Sequence, residues 1–153
     1  MDIGQMINPG VDRGQVIGGF MQGFGWVTNE ELRYDNAGQL LSAGPTTYKI
    51  PNVTDLPHVL NVNFIDNPKH QKNVCWSKAV GEPPLVLGLA VWLAAWHALS
   101  FVNQHKRVDL AIPATGDELL TRLTELSPDN DGASVPSLRA GKIHKPLHLV
   151  SSL

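Results

Sequence analysis

The chain has 153 residues, enough for one domain with a hydrophobic core. A formal net charge of -2 and a pI near 6.3 give no general electrostatic argument for nucleic acid or an anionic membrane. The single cysteine, Cys75, excludes a disulfide framework and an all-cysteine iron–sulfur site within the chain, and it points to a reducing, cytoplasmic setting.

Met1 to Pro9 reads as an extended leading segment, polar and glycine-containing, with none of the basic start or apolar centre of a secretory signal. Asp12 then suits a helix N-cap, and Gln15 three residues on gives a capping-box spacing. From Arg13 to Leu32 the apolar residues Val16, Ile17, Phe20, Met21, Phe24 and Val27 recur at helical spacing. Gly14, Gly18, Gly19, Gly23 and Gly25 interrupt that helix, each costing up to about 1 kcal/mol relative to alanine. Such a price implies that another backbone or a ligand packs closely against it. A membrane helix pair built on small residues is the alternative, and Arg13, Gln15, Gln22, Asn29, Glu30 and Glu31 argue against it.

Arg33 to Leu41 reads as a hairpin turning at Asp35-Asn36-Ala37-Gly38. Thr46 to Pro51 is β-rich, and Val59 to Ile65 is the clearest strand by alternation. After a polar loop from Asn67 to Lys72, Val74-Cys75-Trp76 is expected to be a strand that delivers the loop around Glu82. There Gly81 permits close approach to the backbone, proline after Glu82 predicts an extended Glu82, and Pro83 or Pro84 suits a first helical turn. Locally, Glu82 is equally a helix cap or a directed functional carboxylate.

Leu85 to Val102 is almost wholly apolar, long enough for a membrane span, though His97 and Ser100 weaken that reading. His97 has no neighbour spaced to share a metal and reads as a core or helix-end residue. Thr115 to Glu118 forms a capping box ahead of Leu119, Leu120, Leu123 and Leu126, an amphipathic helix. Residues 127–153 are a polar tail, in which Pro146 argues against a helical metal pair of His144 and His148.

The stretch Ser77-Lys78-Ala79-Val80-Gly81-Glu82-Pro83-Pro84-Leu85 resembles the segment carrying the active-site glutamate of xanthine dehydrogenases, in the molybdenum hydroxylase family. Three further stretches agree in order: Asp2 to Gln5 with Asn8-Pro9, Asp12 to Gly23, and Pro45 to Pro51. The resemblance runs from about Asp2 to about Val102 and places the chain at the C-terminal part of the large, molybdenum-binding subunit.

It implies an α+β molybdopterin-binding domain over residues 1–126, with a glycine-rich helix, short antiparallel strands and a long apolar core helix. It further implies that Glu82 is the general base of an oxidative hydroxylation of hypoxanthine or xanthine. Gln15 would contact the pterin, and Lys78, Ala79, Val80 and Gly81 would lie along the cofactor, Lys78 by its backbone if not its side chain. Capping remains the alternative role for Gln15. Molybdenum-molybdopterin is the implied cofactor, with 2Fe-2S clusters, FAD and NAD reached only through other domains or subunits. No P-loop or dinucleotide fingerprint occurs in the chain. The implied partners are a purine and the remainder of an oligomeric enzyme, with no nucleic acid and no membrane. An aldehyde-oxidising relative and a non-catalytic packing piece are the rival readings.

Overall fold

A computed structural model describes residues 1–67 and 72–127. The expected tail, with His144 and His148, lies outside the described residues apart from Ser127. Among the described residues three α-helices carry the fold: α1 (Pro9–Thr28), α2 (Leu89–Ser100) and α3 (Gly116–Leu126). A 3-10 segment, Pro83–Gly88, runs directly into α2.

α1 begins earlier than Asp12 and ends before Leu32. Its cap is Asn8, whose side chain accepts a bond from the Val11 amide (3.2 Å), with Pro9 in the first turn. An Asn-Pro pair satisfies an orphan amide and pre-sets the helical φ together, and so outranks Asp12 as the start. Asp12 instead sits in the first turn, where a carboxylate meets the positive end of the helix dipole. The helix closes where the Asn29 and Glu30 amides share the Gly25 carbonyl.

The glycines explain what α1 packs against. A Cβ on Gly23 would lie 2.0 Å from the Leu85 carbonyl oxygen, and one on Gly88 would lie 2.3 Å from the Gly23 carbonyl carbon. A Cβ on Gly19 would come within 2.9 Å of Pro84 Cβ. Spaced by four, Gly19 and Gly23 fall on one helix face, and there the backbone of α1 touches the backbone of Pro83–Gly88. Gly25 faces a different neighbour: its Cβ would strike Glu30 and Pro51. Glu30 in turn accepts a bond from the Tyr48 hydroxyl (2.6 Å), which raises the tyrosine pKa above its usual value.

The expected strands reduce to two isolated antiparallel bridges, Gly4 with Ser77 and Tyr34 with Leu40. Arg33 to Leu41 does turn as a hairpin. Asp35 Oδ1 accepts from the amides of Ala37 and Gln39, and Gly38 adopts φ 82. Thr46 to Pro51 forms a turn rather than β structure, with the Thr47 and Tyr48 amides both bonded to Gly44. Val59 to Ile65 alternates as a strand would, yet its bonds run to Met1, and one isolated pairing does not sustain a strand. Val74–Trp76 is a 3-10 turn with Cys75 and Trp76 both at positive φ, so the chain folds back there instead of extending.

The apolar run is divided and is not a core helix. Of α2 only Leu99 is buried, while Val86, Leu87, Leu89, Leu93 and Phe101 are exposed. By length and composition alone, Pro83–Ser100 could cross a membrane. A small core lies beneath its far end, made of Leu99, Val108, Leu110, Ala114 and Leu126. The indoles of Trp92 and Trp96 donate to the carbonyls of Ala111 (3.0 Å) and Val108 (3.2 Å). The Ala114 amide reaches the Val27 carbonyl at 2.7 Å and joins this unit to α1. Thr115 caps α3, but Glu118 does not complete the box. Its buried carboxylate accepts from the Ala111 amide and from Arg122 Nε, both at 3.0 Å. Leu120 and Leu123, expected on the packed face of α3, are exposed.

These contacts separate the glycines into two classes. Gly23→Ala should destabilise the chain by about 3 kcal/mol or more, through overpacking against backbone that cannot yield. Gly14→Ala and Gly18→Ala, with nothing within 4 Å of the added carbon, should stabilise it by about 0.5–1 kcal/mol. Denaturant midpoints of the three variants provide the measurement.

Candidate functional site

Pro83 and Pro84 lack amide hydrogens, so Leu85 is the first residue after Glu82 able to donate to the helix start. Its amide bonds the Glu82 carbonyl (3.1 Å), and Glu82 takes φ -88 and ψ -43, a helical geometry. The extended conformation expected ahead of a proline is thereby corrected, because pointing its carbonyl into the turn requires the helical one. The Glu82 side chain makes no capping bond and is exposed. Its capping role is therefore set aside, and the carboxylate projects from the start of the 3-10 segment.

Gln15 lies one turn before Gly19 on the glycine face of α1. The contact of α1 with Pro83–Gly88 brings it beside Gly81, where an added Cβ would stand 3.4 Å from Gln15 Oε1. Two residues 66 positions apart in the sequence thus meet at the step before Glu82. The expected capping box at Asp12 does not form, since Asn8 is the cap, so Gln15 is not needed there. An exposed amide beside an exposed glycine gives a surface with donors, an acceptor and room for close backbone approach, which fits the mixed polar edge of a pterin.

Ala79 is exposed and Val80 half-buried along the same loop. Lys78 is engaged elsewhere: its Nζ bonds Asp2 Oδ2, and its amide donates to the Ile3 carbonyl (2.8 Å). Its side chain is therefore committed to Asp2. Asp2 is a residue of consequence to which the sequence reading assigned no role. Its Oδ1 accepts from the Gly4 amide and its Oδ2 from Asn67 Nδ2, both at 2.9 Å. The partner of Asp2 lies 76 residues away, so no local pattern announces it.

His97 is exposed at the end of α2, its ring edge-on to Phe101 at 4.9 Å. No cluster of three metal-type side chains occurs among the described residues. A groove of about 270 Å³ lies near α3, lined by Lys106, Arg107, Arg122 and Glu125 among others, and shares no residue with the Gln15–Glu82 region. Arg122 is committed there to Glu118 and Glu125.

The Lys78 ammonium, then the Gly4 amide and Asn67, hold the Asp2 carboxyl well below the usual carboxylate range. A depressed carboxyl stabilises the fold above its unfolded pKa of about 3.9, and that contribution is lost only as pH falls through the lower folded value. A carbon-13 titration of Asp2 should therefore show a midpoint clearly under about 3.9, and Lys78→Met should move it upward. An unshifted midpoint in the parent chain would contradict the Asp2–Lys78 pair.

Known proteins share this architecture. The family model described as molybdopterin cofactor-binding domain matches residues 1–57. Aldehyde oxidase 1 of Cavia porcellus is 39% identical over 145 residues, which covers 89% of this chain and 11% of the relative. Xanthine dehydrogenase of Drosophila pseudoobscura pseudoobscura is 44% identical over 106 residues, covering 69% of this chain and 8% of the relative. Among solved structures, reconstituted CO dehydrogenase from Oligotropha carboxidovorans superposes with a TM-score of 0.69 at 28% identity, over 82% of this chain and 15% of that one. The chain thus spans about a tenth of the length of these curated relatives. By this likeness of sequence and fold, it belongs to the xanthine dehydrogenase and aldehyde oxidase family of molybdenum hydroxylases.

Proposed function

We propose that this chain supplies the general base and one wall of the molybdopterin site in a xanthine dehydrogenase-like enzyme that hydroxylates hypoxanthine or xanthine. The observation that carries the reading is the meeting of Gln15 with Gly81, one residue before the uncapped carboxylate of Glu82. Gln15 and the backbone of residues 78–81 would hold the pterin. Bound molybdenum-molybdopterin would supply the two-electron redox chemistry. This chain's part is the proton: a carboxylate on a backbone fixed by two prolines accepts it at Glu82 with little reorganisation. The 2Fe-2S, FAD and NAD steps would belong to other domains or subunits.

The exposed apolar side chains Val86, Leu87, Leu89 and Leu93, with the small share of its relatives that the chain spans, support packing of this surface against the remainder of the molybdenum-binding subunit. The free, exposed Cys75 supports a cytoplasmic setting. An aldehyde-oxidising activity is the second reading, favoured by the 89% of this chain that aligns with an aldehyde oxidase. Turnover of purines against aldehydes by the assembled enzyme separates the two.

In that enzyme, Glu82→Gln should lower kcat by about 10²-fold or more while bound molybdenum stays the same. Near-parent turnover in this variant would remove Glu82 as the base. Gln15→Ala should instead lower the molybdenum and pterin content of the purified enzyme, and an unchanged content would exclude the cofactor contact.

A further inference from the structure

Just ahead of Glu82 the chain is clasped by its own first residues. Gly4 and Ser77 form an antiparallel bridge, flanked by the Gln5 amide donating to Trp76 O (2.9 Å) and the Lys78 amide donating to Ile3 O (2.8 Å). Ile3, 2% exposed, anchors the segment. Asp2 closes the clasp by accepting from Lys78 Nζ and Asn67 with one oxygen and from the Gly4 amide with the other. On its other side Glu82 is held by Leu85, whose carbonyl is seated on Gly23. Only Ala79, Val80 and Gly81 separate the clasp from the carboxylate.

We infer that Asp2 and Lys78 are positioning residues for Glu82: their ion pair fixes the upstream end of the loop and so limits where the carboxylate travels. Neither touches the reacting atoms. The inference rests on the reading of Glu82 as the base for its catalytic consequence, but not for its structural one. A span of three residues between two fixed ends has few conformations to lose, so the carboxylate is pre-organised. Freeing one end returns that freedom to the loop without changing any group that takes part in proton transfer.

Hydrogen–deuterium exchange of the full chain tests the clasp directly, with the amides of α1 as internal reference. In Lys78→Met, the bonded amides of Gln5 and residue 78 should exchange about ten-fold faster while α1 is unchanged; Lys78→Arg, which keeps the charge, should stay near the parent. Asp2→Asn should match Lys78→Met, and the double variant should be no faster than either single one. Equal exchange in Lys78→Met and parent, or additive effects in the double variant, would overturn the inference. So would loosening that spreads equally through α1.

In the assembled enzyme, Asp2→Asn should lower kcat by about ten-fold, with KM and the midpoint of the pH–rate profile unmoved. A change confined to KM would also overturn it. The two readings fail separately: an active Glu82→Gln enzyme removes the base and leaves the exchange result standing, whereas unaltered exchange removes the clasp whatever Glu82 does.

Discussion

The closest constraint in the molecule is the backbone contact between α1 and Pro83–Gly88. Gly23 and Gly88 meet with no room for a Cβ on either side, and Gly19 meets Pro84 in the same seam. Everything of functional interest hangs from this contact. One turn before it on α1 stands Gln15; at its start on the facing segment stands Glu82. Side chains of ordinary size at the seam would push the two elements apart and separate the amide from the loop. The glycines cost helix propensity and return a fixed geometry at the site.

Two prolines act with the seam. By removing the first two donors of the turn they leave Leu85 as the residue that closes it, and its bond to the Glu82 carbonyl sets the backbone of Glu82. The carboxylate is then left uncapped and exposed, unlike Glu118, which is buried and accepts from the Ala111 amide and from Arg122 of its own helix. The two glutamates differ by their neighbours alone: one is bonded into the fold and the other projects from it.

Much of this was legible in the residues. The density of glycines in α1 calls for a close neighbour, which Pro83–Gly88 is, and Gln15 and Gly81, which the resemblance places along one cofactor, do stand side by side. Less legible was whatever depends on distant partners. Alternation in Val59 to Ile65 describes a strand only if a second strand lies alongside, and among the described residues its backbone bonds run to Met1. Asp12 with Gln15 had the spacing of a capping box, but Asn8-Pro9 held the stronger start four residues earlier. Leu85 to Val102 is a core helix by resemblance and a possible span by composition; neither says whether the covering surface belongs to the same chain, and most of it is bare here. Asp2 and Lys78 carried no shared local signal at all.

That last separation has a kinetic side. The ends of the Asp2–Lys78 clasp lie 76 residues apart, so closing it means closing one of the longest loops in the chain. Loop-closure entropy makes such contacts slow to form relative to local helix turns, and they come together after the elements between them have some order. α1 and the turn at Pro83-Pro84 are local and need no such wait. The clasp and the seam both join distant residues and are therefore finished after the local helices, so a chain caught part-way presents α1 but not the ordered loop at Glu82.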